Sequence, residues 1–205
     1  MLTNQTETNL SGFSLVELLI SLLLGSILLS MVIGLYVTGV STGAKNLNYS
    51  RLRTDLQSIV AMIETDIRRA GYGKEGIYLV GANGDKSIDI NSSQDCIVYY
   101  YNHNKTEVLE SSNKMAFSFK DKAIKFKTGV GKVADTVCAV KTGWTDISDD
   151  QFITITSLKL TENIVSNASA TMRSVKIELA GELVSDNAYA HSIATQVHVR
   201  NLDFN

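Results

Sequence analysis

From Leu18 to Ala44 the chain runs for 27 residues without a charged side chain, and a lone carboxylate, Glu17, stands directly before that run. A helix needs roughly 20 apolar residues to cross a hydrocarbon core about 30 Å thick, so the segment predicts a membrane-spanning helix. A cleaved secretory signal would have a shorter apolar core, about 7–15 residues, behind basic side chains. Residues 1–12, MLTNQTETNLSG, carry no Lys or Arg. Glu17 is the costly residue, because a carboxylate within a membrane helix is unfavourable by up to about 3 kcal/mol and is retained where it finds a partner. If the chain were cut between Gly12 and Phe13, the new α-amino group would lie one helical turn from Glu17. With a pKa of about 8 it would be largely cationic at neutral pH. The pair would neutralise within one chain or, better placed, between neighbouring chains. The competing reading is that Glu17 only marks the water-facing end of the helix.

Beyond the span the helical period continues without a Pro to break it. Leu47, Leu52, Leu56, Ile59, Val60, Ile63 and Ile67 recur at the spacing of one helix face. Arg51 with Asp55, and Glu64 with Arg68, are expected to form i,i+4 pairs on the opposite face, each contributing a few tenths of a kcal/mol, roughly. Gly71-Tyr72-Gly73 supplies the stop. One helix from Phe13 to about Arg69 is therefore expected, its first half facing lipid or other helices and its second offering one stripe to a folded domain. Gly25, Gly34, Gly39 and Gly43 weaken it, by about 1 kcal/mol each relative to Ala in an exposed helix. They serve either close packing of membrane helices or local unwinding around Gly25 to Gly34.

From Ile77 onward the period falls to two. MAFSFK and AIKFK flank Asp121-Lys122 as a hairpin, and CIVYYY, FITIT, SVKIELA and IATQVHVR are further strands rich in β-branched and aromatic residues. In SVKIELA, Val175, Ile177 and Leu179 face one way while Lys176 and Glu178 face the other. A largely antiparallel sheet with one face on the amphipathic helix follows, an α+β fold. The Gly-, Asn-, Asp- and Ser-rich stretch from Gly81 to Asp95 is expected to connect helix and sheet.

Composition excludes several functions. The net charge of −2 provides no basic field for nucleic acid. There is no nucleophile elbow, no HExxH and no phosphate loop, and His103, His191 and His198 stand apart from one another, so no catalytic residue, cofactor or metal is read from this chain. Asp85, Ser87, Asp89 and Asn91 alternate like the start of a calcium loop, but Ile90 stands where its central Gly belongs and no Glu closes it. Trp144 is expected to be a core or edge aromatic.

The residues around Glu17 narrow the reading. GFSLVELLIS, from Gly12 to Ser21, resembles the N-terminal signature of type IV prepilins: Gly, then Phe, with Glu at the fifth position after the cut. The resemblance implies a leader of residues 1–12 removed by a prepilin peptidase, N-methylation of Phe13, and pairing of Glu17 with a neighbour's terminal amine during assembly. Prepilin leaders usually carry Lys or Arg, whereas this one offers only Glu7 as a charge. Lys45, Arg51 and Arg53 after the span would by simple count place the C-terminal part in the cytoplasm. The resemblance implies a periplasmic domain instead, and long domains cross largely regardless of charge.

Further along, DIRRAGYG (Asp66 to Gly73), Cys96 opening CIVYYYN, Cys138 shortly before Gly143-Trp144, and the closing VHVRN resemble PilW-like minor pilins. The organisation then implied is a leader (1–12), a transmembrane half-helix (13–44), an amphipathic half-helix (45–71) and a β-rich periplasmic domain (72–205), in a type IV pilin-like fold. The implied function is that of a minor pilin in an initiating or tip complex. Its partners would be other minor and major pilins, the prepilin peptidase, and inner-membrane lipid before assembly; after assembly it would lie in the pilus at the cell surface. A J-type pseudopilin of type II secretion is the nearest alternative, and a membrane-anchored adhesive module the competing class. Cys96 and Cys138, 42 residues apart, could close one disulfide in such an oxidising compartment; the alternative is two unpaired buried thiols.

Overall fold

In the computed structural model, residues 12, 14–73, 76–105, 110–166, 170–201 and 203–204 are described. They fall into two units, Met1–Leu47 and Asn48–Asn205. Helix α1, Leu15–Arg69, is the only regular element among the described residues of the first unit and supplies the helical layer of the second. Expectations placed on residues 1–11 and on Phe13 lie outside the described residues.

Within the first unit every side chain from Leu15 to Val40 is exposed, which makes α1 there an apolar cylinder. Several of its hydroxyls bond to its own backbone: Ser21 Oγ donates to the carbonyl of Glu17 at 2.7 Å, Ser30 to Ser26 at 2.8 Å and Thr38 to Gly34 at 2.9 Å. A hydroxyl bonded back to the preceding turn does not have to be solvated by water. The helix is unbroken through Gly25, Gly34, Gly39 and Gly43, and open space surrounds each of them.

In the second unit α1 is amphipathic as the spacing predicts, burying Leu52, Leu56, Ile59, Val60, Ile63 and Ile67. Leu47 departs from the stripe and is exposed. Arg51 pairs with Asp55 at 3.5 Å. Glu64 does not take Arg68 as expected; it accepts the hydroxyl of Thr195 instead, because its carboxylate is turned toward the sheet.

Two antiparallel sheets lie against this helix, where the period-two pattern suggested one. The first has the order β1 (Ile88–Ile90), β2 (Cys96–Tyr100), β3 (Lys114–Lys120), β4 (Ala123–Thr128), β5 (Thr145–Asp146). The second joins β6 (Ile153–Ser166), β7 (Ala170–Leu183) and β8 (Asp186–His198), with β9 (Asp203–Phe204) pairing to β7. The β3–β4 hairpin turns at Asp121-Lys122 with φ of 52° and 61°, both left-handed, as the tightest antiparallel turn requires. β1 lies inside the stretch expected to be a connection, since Ser87, Asp89 and Asn91 are buried polar residues that broke the apolar pattern.

Strand β2 explains why CIVYY reads as one continuous apolar run. Ile97 and Tyr99 join the main core with α1, Phe117, Ile155, Leu160 and Val175. Val98 and Tyr100 face the other way, into a second cluster with Val80, Ala116, Val130 and Val137. The helix α2 (Ala134–Ala139) contributes Ala134 and Val137 to that cluster. In β6 a bulge between Ile155 and Ser157 shifts the register, so that Leu158 and Leu160 stay inward after Ile153 and Ile155. Val175, Ile177 and Leu179 of β7 are buried, with the Lys176–Glu178 pair outside at 2.8 Å, as the alternation predicts.

Candidate functional site

Two places carry the residues singled out by sequence, and a third emerges only in the fold. The first is the start of α1. Gly12 is exposed, with no atom within 4 Å of where a Cβ would stand. Glu17 lies in the first turn of α1, its side chain exposed, and among the described residues no cation pairs with it. An acid near a helix N-terminus is favoured by the helix dipole by about 0.3–1 kcal/mol, which offsets only part of the cost of holding it in lipid. Phe13, the other half of the expected processing site, is outside the described residues.

The second place is the stapled cap formed by α2. Cys96, fully buried on β2, is disulfide-bonded to Cys138 on α2, with their Cα atoms 6.3 Å apart. Three further ties hold α2 to the first sheet. Asp89 Oδ2 accepts the backbone N–H of Ala134 at 2.8 Å, which satisfies one of the unpaired donors at the helix start. Asp135 Oδ1 accepts both the N–H and the hydroxyl of Ser92 at 2.9 Å, and these bonds hold its carboxyl below the usual range. Lys120 Nζ donates to the carbonyls of Cys138 and Val140, the latter at 2.6 Å, and lies 4.6 Å from the Trp144 ring centre. Burial lowers the pKa of this ammonium, opposed by Asp121 and Asp95. Trp144 Nε1 donates to the same Val140 carbonyl at 2.8 Å, so the tryptophan is a half-buried edge aromatic.

The same contacts engage the residues of the calcium-loop-like pattern. Asp89 is committed to Ala134 and, at 3.3 Å, to Lys86. Asn91 Oδ1 accepts the N–H groups of Asp95 and Cys96, and its Nδ2 donates to Asp95 at 2.7 Å. These side chains fold a loop. Among the described residues no group of three His, Cys, Asp or Glu is arranged to hold a metal.

The third place was missed in the sequence, although two of its motifs were noticed. The end of DIRRAGYG and the closing VHVRN meet where α1 stops. Gly71, at φ +80°, turns the chain out of the helix, and its N–H donates to the carbonyl of Tyr100 at 2.7 Å. The N–H of Arg200 donates to the carbonyl of Arg68 at 3.1 Å, and Asn201 Nδ2 to that of Ala70 at 2.7 Å. Around this junction opens a cleft of about 540 Å³ bordered by arginines, a lysine and two tyrosines. No spacing rule links residue 69 to residue 200, so only the fold reveals the cluster.

An exposed apolar helix with one carboxylate at its head, continuous with a helix-backed antiparallel β domain, is the architecture of a pilin-like chain made for membrane anchoring with a C-terminal soluble domain. The prokaryotic N-terminal methylation motif matches residues 9–33, which include Gly12, Phe13 and Glu17. The family described as prepilin peptidase-dependent protein B matches residues 45–199, well over half of the chain, and the protein belongs to that family. Both matches are to pilin-like structural proteins rather than enzymes. No curated protein and no solved structure gives a match.

Proposed function

We propose that this protein is a minor pilin: a subunit inserted in the inner membrane by α1 with its β domain in the periplasm, cleaved between Gly12 and Phe13, methylated at Phe13, and assembled with other pilins in the complex that initiates a type IV pilus. The observation that carries the reading is the conjunction of the methylation motif with a lone Glu17 at the head of a helix whose apolar part, Leu15 to Val40, is exposed throughout. Such a surface requires lipid or partner helices, and the glycines at 25, 34, 39 and 43, bare on all sides, let another helix approach closely. Glu17 then takes the terminal ammonium of a neighbouring subunit as its partner, which offsets the cost of its burial.

The test has two measurements. The intact mass and N-terminal sequence of the mature chain are expected to begin at N-methylated Phe13; a chain that keeps residues 1–12 refutes the processing step. Deleting the gene is expected to abolish filaments. Filaments that remain but fail to adhere would transfer the function to a membrane-anchored binding module.

A further inference from the structure

The cleft at the C-terminal end of α1 has a composition that folding does not explain. Arg68 and Arg69 come from the last turn of the helix, Lys105 from the loop after β2, and Arg200 from the segment after β8. Among the described residues none of these four cations has a carboxylate or carbonyl partner for its side chain, and no acidic residue lines the cleft. Cations beside a helix C-terminus are favoured by its dipole, and that could account for Arg68 and Arg69. The terminal carbonyls, however, are already occupied. That of Arg68 accepts the Arg200 N–H at 3.1 Å, that of Arg69 accepts the Tyr72 N–H at 3.1 Å, and that of Ala70 accepts Asn201 Nδ2 at 2.7 Å. Among the described residues the guanidinium groups therefore have no carboxylate or carbonyl partner, and Lys105 and Arg200 reach the cleft from other elements.

The walls are aromatic. Tyr72 and Tyr101 stand with their ring centres 6.2 Å apart, and the Arg69 guanidinium lies 5.5 Å from the Tyr101 ring. A ring beneath a guanidinium restrains it while leaving its N–H edge free for bidentate bonding to a carboxylate. Four like charges around a volume of about 540 Å³ repel one another until an anion enters. Residues 45–205 carry 19 basic and 19 acidic side chains, so this part of the chain is formally neutral and the four cations form a local basic patch of a size for a short anionic segment.

We infer that this cleft is a docking site for a carboxylate-rich peptide segment of a neighbouring pilin-like subunit, with the arginines binding its carboxylates and Tyr72 and Tyr101 flanking its backbone. The partner's identity rests on the subunit reading above, whereas the site's chemistry does not.

The test uses the full-length chain in non-ionic detergent and a fluorescein-labelled hexaglutamate peptide, read by anisotropy at constant ionic strength. Saturable binding is expected. Arg69→Gln combined with Arg200→Gln should weaken it at least ten-fold, and Lys105→Gln about three-fold. Lys159→Gln, on the exposed outer face of β6, should leave it unchanged. A hexaglutamine peptide and inorganic phosphate should not compete. If the double variant melts at a lower temperature than the parent, Lys105→Gln, on a loop, carries the comparison. Absence of saturable binding, an equal loss with Lys159→Gln, or stronger competition by a hexathymidylate oligonucleotide than by unlabelled hexaglutamate would each overturn the inference. No filament is needed for this titration, so its failure is separable from a failure of the pilus reading.

Discussion

Replacing Cys96 and Cys138 together by Ala tests how α2 is held and what the staple contributes to the whole domain. The bond closes a loop with a sequence separation of 42, and in the chain-entropy model a loop of that size stabilises the fold by about 4 kcal/mol. That figure applies only if the native state survives without the bond. Here it should, since Asp89 still accepts Ala134, Asp135 still accepts Ser92, and Lys120 still holds the backbone carbonyls of residues 138 and 140. The loss then falls on the unfolded chain, which regains its freedom. For a domain of this size each kcal/mol moves the thermal midpoint by about 2–4 °C, so a decrease of about 8–16 °C is expected. Trp144 is the only tryptophan in the sequence and its indole is bonded to Val140 just after α2. Its emission therefore reports on the cap, while far-UV circular dichroism reports on the sheets. The two signals should fall together in the variant. An unchanged dichroism midpoint with an early tryptophan transition would refute the reasoning, because the bond would then secure α2 alone.

Glu17→Val should leave membrane insertion intact, since it removes a charge from the apolar segment. It should reduce co-purification of partner pilins, by the loss of about 3–5 kcal/mol when one side of a buried ion pair is deleted, and equal recovery from wild type and variant would contradict the assembly role. Gly181→Ala should destabilise the second sheet by about 1–3 kcal/mol through overpacking. The new Cβ would stand 3.2 Å from Leu56 Cδ2 and 3.2 Å from the Thr154 carbonyl, which as backbone cannot yield; an unchanged or raised thermal midpoint would count against it. Asp135 has a folded-state pKa depressed by its bonds to Ser92, so its contribution is full above the ordinary carboxylate range and is lost as pH falls through the depressed value. Amide exchange at Ser92 should accelerate on acidification in the parent and be insensitive to pH in Asp135→Asn, once the intrinsic rate is divided out.

Much of this protein was legible in one dimension because its physics is local. The apolar run Leu18–Ala44 and the position of Glu17 need no partner to be recognised. The 3.6-residue stripe from Leu52 to Ile67 and the alternation of Val175, Ile177 and Leu179 each record which face is buried. Gly71 and the Asp121-Lys122 turn were also readable, since a left-handed φ or a two-residue connection is a demand on the residues themselves. Local periodicity, though, says only that a face is covered and never by what. Whether the strands made one sheet or two depended on pairing between residues far apart in sequence. β1 was hidden because its neighbourhood is polar: Ser87, Asp89 and Asn91 are buried through hydrogen bonds rather than through hydrophobicity, which a pattern search cannot see.

The sequence by itself therefore determined the anchor, the amphipathic half of α1, the main strands and the pair of cysteines, each of them a property of neighbours along the chain. Only the tertiary structure decided that Glu64 turns to Thr195 instead of Arg68. It alone brought Cys138 on α2 against Cys96 on β2 and gathered Arg68, Arg69, Lys105 and Arg200 around one cleft. Those arrangements join segments more than 30 residues apart, and what sets them is the packing of α1 on one side of the first sheet and of α2 on the other, a constraint that acts through space and leaves no period in the sequence.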